Sequence, residues 1–273
     1  MRTVYIGTAQ FAANVLQHLV DAGAAPQLVI TRPDRPAGRG RKLTAPPVAE
    51  LARELGITVA QPAQINDEES RSLISEAQPE LLLVCAYGAM IAEPLLSDYE
   101  VLNLHPSLLP RWRGAAPIER AIIAGDRQTG VSIMRLTEGL DSGPVCATRI
   151  TPINDDDDFG SLSSRLEQIG GELLAELLDQ PRVFTEQDDS QACYAEKITS
   201  ADRILDPAMS AAERERIVRA LSPHIGARAV LEDGTMLGVR SAQLSDGELI
   251  YDRVVPPGSR EMSWQDYQRG HSE

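Results

Sequence analysis

Aromatic residues are scarce in this chain: two Trp, six Tyr and three Phe make up 4% of 273 residues. The core must therefore be built mainly from Ala, Leu, Ile and Val. Cysteine is also sparse. Cys85, Cys146 and Cys193 are odd in number and widely spaced, which argues against a disulfide framework and a Cys-x-x-Cys metal site and fits a reducing cytoplasm. No apolar run reaches the roughly 18 residues of a membrane span, and Met1 to Ile6 opens no secretory signal. Basic charge is in deficit, with 26 Lys and Arg against 40 Asp and Glu and a net charge of −14. A protein so acidic is not expected to hold a polyanion with its whole surface.

Glycine is missing where a nucleotide loop would need it. Gly7-Thr8-Ala9-Gln10-Phe11 follows the first apolar strand with one glycine, where a dinucleotide fingerprint has three, and no P-loop lysine follows. Nicotinamide and ATP chemistry are excluded on that basis. Ser107 lacks a G-x-S-x-G setting, so it is not a hydrolase nucleophile.

What is present is an ordinary globular composition, 42% hydrophobic and 24% charged, in a chain long enough for one large or two ordinary domains. Short apolar strands are predicted at Val4–Ile6, Gln27–Ile30, Thr58–Ala60, Leu81–Ala86, Val101–Leu104, Val131–Met134 and Val145–Ile150. Between them, helical spacing is predicted at Phe11–Leu19, Pro46–Leu55, Glu68–Ala77, Pro117–Ala124 and Gly160–Leu178. Strand and helix in alternation predict a Rossmann-like α/β domain with a mostly parallel sheet over residues 1–180. A polar linker (181–198) and a small β-rich domain (199–273) follow, the latter opened by a helix at Ser210–Leu221 with a capping box of Ser210 and Glu213. Asp155–Asp158 is expected to be a solvated loop.

In parallel α/β sheets ligands sit beyond the carboxyl ends of the strands. Asn103 and His105 lie there, two residues apart and so on one face of their strand. Asp141 follows 36 residues after His105 in the glycine-bracketed Glu138-Gly-Leu-Asp-Ser-Gly143. An amide to hold an oxyanion, an imidazole to handle a proton and a carboxylate to set the imidazole's charge are equipment for moving an acyl carbon between nitrogens. Each alone has a plainer reading, as a structural histidine or a turn aspartate. Arg111 and Arg113 flank Trp112 beside them, either as solvated turn residues or as an anion site or loop anchor. The charge is unevenly spread. Residues 31–42 carry five basic side chains and one acid, whereas residues 151–191 carry eleven acids and two bases. A nucleic-acid partner would meet a local basic loop.

The run Asn103-Leu-His105-Pro-Ser107-Leu108-Leu109-Pro110-Arg-Trp-Arg-Gly, with Gly125-Asp-Arg-Gln-Thr-Gly and Glu138-Gly139-Leu140-Asp141-Ser-Gly, resembles the 10-formyltetrahydrofolate-dependent formyltransferases. That core does not fix the acceptor, since amino-sugar and glycinamide-ribonucleotide formyltransferases share it. The basic stretch from Pro33 to Leu43, Tyr194-Ala-Glu-Lys-Ile198 and the tail from Pro256 to Tyr267 resemble the branch acting on methionyl-initiator tRNA. Two departures stand out. Ser222-Pro-His-Ile-Gly-Ala227 replaces a Trp-Pro pattern, and between Ala227 and Tyr251 the family's OB-like barrel is shortened.

The resemblance implies a cytoplasmic, monomeric enzyme that moves a formyl group from 10-formyltetrahydrofolate to the methionyl-tRNA amine. It uses no metal and no membrane. Asn103, protonated His105 and Asp141 are implied as catalytic. Ala86, Tyr87, Gly88, Ser107, Leu108, Leu109, Pro110, Gly139 and Leu140 are implied to line the folate site, Arg35, Arg39, Arg41 and Lys42 to hold the tRNA acceptor stem, and residues 199–273 to be a tRNA-binding type of β-rich domain. The competing readings are an N-formyltransferase for a small amine such as a nucleotide sugar, and a non-catalytic folate- or RNA-binding relative.

Overall fold

The computed structural model describes residues 1–37 and 40–270. They divide into two units. The first comprises Met1–Arg113, Gly130–Thr151 and Ser164–Cys193, and the second comprises Gly114–Thr129, Pro152–Ser163 and Tyr194–Glu273, the latter described to residue 270.

A seven-stranded sheet organises the first unit. Its strands run Val145–Pro152, Gln128–Arg135, Val101–His105, Leu81–Cys85, Thr3–Gly7, Leu28–Ile30 and Thr58–Ala60 from edge to edge. The five strands from Val101–His105 to Thr58–Ala60 pair in parallel, and Gln128–Arg135 runs antiparallel to Val101–His105. The strands Thr3–Gly7, Leu81–Cys85 and Val101–His105 are buried along their whole length, as apolar runs covered on both faces should be. Ile6, Ile30, Leu82, Leu95 and Ile74 pack into one of its cores. Aliphatic side chains make up nearly all of that core, as the shortage of aromatics requires.

From Thr3–Gly7 the chain moves outward through Leu28–Ile30 to Thr58–Ala60, then returns to place Leu81–Cys85 on the other side of Thr3–Gly7. That reversal opens a crevice beyond the carboxyl ends of the two central strands. Thr8 Oγ1 donates to Tyr87 O across it at 2.9 Å, and Ala9 N to Ala86 O at 3.4 Å. Gly7 is a packing glycine. A Cβ there would stand 2.9 Å from both Ala12 Cβ and Cys85 O.

In the second unit, helix Ala211–Leu221 carries the predicted capping box of Ser210 and Glu213, and Arg216 Nε donates to Ile123 O at the end of helix Pro117–Ala124. The β part is a four-stranded antiparallel sheet of Ala227–Val230, Met236–Ser245, Glu248–Val255 and Met262–Ser263, in that order. Asp246 (φ 51°) and Gly247 (φ 83°) form the two-residue connection between the long strands. Positive φ at both positions is the geometry that lets a hairpin follow the strands' own twist. The interval from Ala227 to Tyr251, where the resemblance implies a shortened barrel, is taken up by strands and tight turns.

The acidic run is not simply solvated. Asp157 is buried, its carboxylate accepting from Asn154 N and Ser161 Oγ, while its carbonyl accepts from Arg219 Nη1. Asp158 accepts from Ser161 N at the start of helix Phe159–Leu178. Asp155 and Asp156 alone are exposed. The pattern of four acids hides this because carboxylates whose oxygens meet backbone N–H groups at a helix start are compatible with burial. Among the described residues no helix is long and apolar enough to cross a membrane.

Cys85 closes its strand fully buried, and desolvation pushes its thiol up to about 12, against the lowering effect of a contact with Tyr5. At pH 8 that leaves a thiolate fraction on the order of 10⁻⁴. Cys85 is therefore expected to stay unlabelled by iodoacetamide in the native protein and to react on denaturation, as peptide mass mapping would report.

Candidate active site

Strand Val101–His105 presents the two polar residues of an otherwise apolar segment. Asn103 pairs with Val84 on one side and Met134 on the other, and His105 pairs with Ser132. Both are buried between neighbouring strands. Among the described residues the Asn103 carboxamide has no hydrogen-bond partner, so its donors remain available to a ligand.

His105 is engaged on both ring nitrogens. Nε2 lies 2.8 Å from Trp112 O. A carbonyl oxygen only accepts, so Nε2 carries the proton. Nδ1 then faces Asp141, whose Oδ2 is 3.6 Å away. That separation is longer than a direct hydrogen bond and leaves room for a third group to engage Nδ1. The structure thus brings together the three residues that the sequence singled out for catalysis.

The Asp141 loop is held by a residue that sequence reasoning passed over. Gln187 Nε2 donates to Asp141 O at 2.9 Å and Gly143 O at 2.7 Å, while its Oε1 accepts from Arg113 Nε and Nη2 at 3.0 and 2.8 Å. Arg113 is 3% exposed and also donates to Asp189. Of the readings open for this arginine, loop anchor is the one its contacts support. Gln187 sits in a stretch that reads as polar linker, and its only signal there was length: the side chain has both a donor and an acceptor to bridge groups.

The turn after His105 is fixed as firmly. Ser107 is fully buried, its Oγ donating to Arg111 O, and Ser132 Oγ donates to Ser107 O while accepting from Leu109 N. Ser132, a polar residue inside a buried strand, was a legible clue. Trp112 N donates to Cys193 Sγ, Arg113 N donates to Cys193 O, and Arg111 lies over the Trp112 ring. Ala86, Trp112 and Asp141 all have positive φ, at 41°, 64° and 45°. Such backbone costs about 1–3 kcal/mol per residue and persists where surrounding contacts dictate it.

Of the residues expected to line a folate site, Ala86 and Gly88 are exposed at the crevice, and the pairing of Cys85 with Leu104 puts Ala86 beside His105 at the carboxyl edge. Leu108, Leu109 and Pro110 are half-buried, and Gly139 and Leu140 are exposed in the Asp141 loop. Tyr87 turns its ring into the core, so only its backbone faces the crevice. The Ser107 hydroxyl is already occupied by Arg111 O. The basic stretch is a hairpin of Arg35–Ala37 and Lys42–Thr44, with Arg35, Arg41 and Lys42 exposed. Arg39 lies outside the described residues.

The model of the formyl transferase family matches residues 1–178. The chain belongs to the formyl transferase family. A methionyl-tRNA formyltransferase from Methylococcus capsulatus is 42% identical over 301 aligned positions, which cover 100% of this chain and 97% of the relative. End-to-end similarity at that level places the chain among the methionyl-tRNA formyltransferases of the family. Two solved structures share the fold at TM-score 0.65. One is a methionyl-tRNA formyltransferase from Clostridium thermocellum, 16% identical, covering 94% of this chain and 100% of its own. The other is a sugar N-formyltransferase from a Shewanella species, 20% identical, covering 90% and 99%. The equal scores mean that the fold does not separate the acceptors, whereas sequence identity does.

Replacing Gln187 by Leu strips two loop carbonyls and one buried guanidinium of a partner. A loss of about 1–3 kcal/mol in stability is expected, with faster amide exchange across residues 138–143. Unchanged exchange in that loop would show that Gln187 does not hold it.

Proposed function

We infer that this chain transfers the formyl group of 10-formyltetrahydrofolate to the α-amine of methionyl-initiator tRNA, with Asn103, His105 and Asp141 as the reacting machinery. The observation that carries the reading is the His105 ring, whose Nε2 proton is committed to Trp112 O so that Nδ1 alone faces Asp141 and any bound group. The donor supplies the formyl carbon at N10. As the acceptor amine bonds to that carbon, Asn103 donates to the formyl oxygen gaining negative charge.

Nδ1, unprotonated in the neutral ring, accepts the proton the amine must lose. The resulting imidazolium stands beside the Asp141 carboxylate, which offsets its charge. The sequence alone suggested a histidine already protonated. A ring that starts neutral gains its second proton during the reaction and returns it to N10 as the carbon–N10 bond breaks, and an Nε2–H held by the Trp112 carbonyl is compatible with either starting state. The folate reading is supported by the crevice beside His105, where Ala86 and Gly88 expose backbone groups that can pair with a pterin edge, and where Leu108, Leu109 and Pro110 offer apolar walls. Gly139 and Leu140 would close over the same site.

Asn103→Ala, His105→Ala and Asp141→Ala are each expected to lower kcat by about 10²–10³-fold, the usual loss for one oxyanion donor or proton-handling group. Thermal unfolding should change little. Near-normal turnover by a folded Asp141→Ala protein would remove the carboxylate from the mechanism. The assay is formyl transfer to charged initiator tRNA set beside a sugar amine, and preference for the sugar would sink the acceptor assignment.

The exposed hairpin is assigned to the acceptor stem through Arg35, Arg41 and Lys42, together with Arg39. Replacing Arg35, Arg41 and Lys42 by Gln should raise KM for methionyl-tRNA severalfold, leave kcat near its starting value and reduce the slope of log KM against log salt by about one per lost phosphate contact. An unchanged KM at moderate salt refutes the contact.

A further inference from the structure

The segment that leaves strand Leu81–Cys85 has no regular structure until helix Leu95–Asp98, yet it is tied down at two points. The near tie is the pair of bonds across the crevice, Thr8 Oγ1 to Tyr87 O and Ala9 N to Ala86 O. The far tie is a single carboxamide. Asn66 Nδ2 donates to Met90 O at 3.0 Å, and Asn66 Oδ1 accepts from Ala92 N at 2.9 Å. A carbonyl only accepts and a backbone N–H only donates, so the two contacts fix the orientation of the amide. The side chain engages the residues on either side of Ile91, as one residue of a parallel strand does with its neighbour.

Asn66 is itself held on both sides. Ile65 and Ile91 are buried in one core cluster, and Asp67 caps helix Glu68–Glu76 by accepting from Ser70 N. Met90, by contrast, is 75% exposed, so its side chain contributes little to holding the segment. Between the two ties lie Gly88 and Ala89. Gly88 (φ 74°) faces open space, with no described atom within 4 Å of where a Cβ would stand. The backbone of that short span thus meets the crevice in a shape set by a residue outside the expected donor site. A loop already held in its binding conformation costs less to order when a ligand arrives.

We propose that Asn66 is a positioning residue for the formyl donor. It acts without touching the donor, by keeping Gly88–Met90 in the conformation that pairs with the edge of a flat heterocycle. That role rests on the folate reading above. The test uses the full chain. Asn66→Ala removes both contacts and no apolar side chain. If the segment then keeps its binding shape only about a tenth of the time, KM for 10-formyltetrahydrofolate and Kd for the stable isomer 5-formyltetrahydrofolate each rise about tenfold. At saturating donor, kcat and KM for methionyl-tRNA should stay within about twofold of wild type, because only donor binding is affected. A residue with a merely structural role would lower Tm without separating donor KM from kcat.

Equal Kd values for wild type and a folded Asn66→Ala variant overturn the role of Asn66, as does a fall in kcat with donor KM unchanged. A wild-type chain that neither binds 5-formyltetrahydrofolate nor transfers a formyl group overturns the folate reading, and the positioning role with it. Should Asn66→Ala fold poorly by circular dichroism, Asn66→Asp keeps the acceptor for Ala92 and loses the donor for Met90. It is expected to raise both constants by a smaller factor, and unchanged constants there refute the role.

Discussion

The geometry of the loop that carries Asp141 depends on one carboxamide. Gln187 is the piece that ties a buried cation to a loop of strained backbone, accepting from Arg113 on its oxygen side and donating to the carbonyls of Asp141 and Gly143 on its nitrogen side. Asp141 sits at φ 45°, a left-handed conformation that costs a non-glycine residue energy, although Asp is among the residues that adopt it. A glutamate of the same length could accept from Arg113 but could not donate to the two carbonyls, and a lysine could donate but not accept. Only an amide side chain satisfies both ends. The loop's carboxylate is thereby aimed at Nδ1 of His105 without being bonded to it.

The second constraint is the carbonyl of Trp112. By accepting from Nε2, it fixes a proton on that nitrogen and leaves Nδ1 as the one that faces Asp141. That carbonyl points inward because Trp112 adopts φ 64°, and its own N–H is held by Cys193 Sγ. Cys193 thus acts through the backbone of a neighbour. An arrangement in which the ring's orientation rests on main-chain atoms is insensitive to the Trp112 side chain, which instead stacks with Arg111.

The sheet was readable in the sequence because its strands are continuous apolar runs between turn residues, and Leu81–Cys85 and Thr58–Ala60 fall within a residue of their expected limits. Asn103 and His105 stood out for a related reason, as polar residues at a strand end where neighbours are apolar. Gln187, Cys193 and Asp157 did not. Each lies in a polar stretch whose local pattern is that of a solvated segment, and their roles come from partners 30 or more residues away, or from a helix start formed by tertiary packing. The hairpin of Arg35–Ala37 and Lys42–Thr44 was masked by proline and glycine, which suppress strand signals even where pairing occurs. Local periodicity reports burial of a face, and it carries no information on long-range polar pairing.

The alignment with the Methylococcus capsulatus protein spans 301 positions against the 273 residues of this chain, so at least 28 positions of the relative have no counterpart here. The four-stranded sheet of the second unit closes its backbone hydrogen bonds through short connections. The Asp246-Gly247 turn does so by joining Met236–Ser245 directly to Glu248–Val255, and the C-terminal segment Met262–Ser263 pairs with the outer edge of Glu248–Val255. The helix Trp264–Gly270 then brings Trp264 and Tyr267 onto Tyr251 and Leu237, so that three of the chain's few aromatic residues seal one small core. Those residues supply apolar area to the cluster of Leu237, Val254 and Tyr267. Aromatic side chains bury the most surface per residue, so a few of them suffice to close a core of this size.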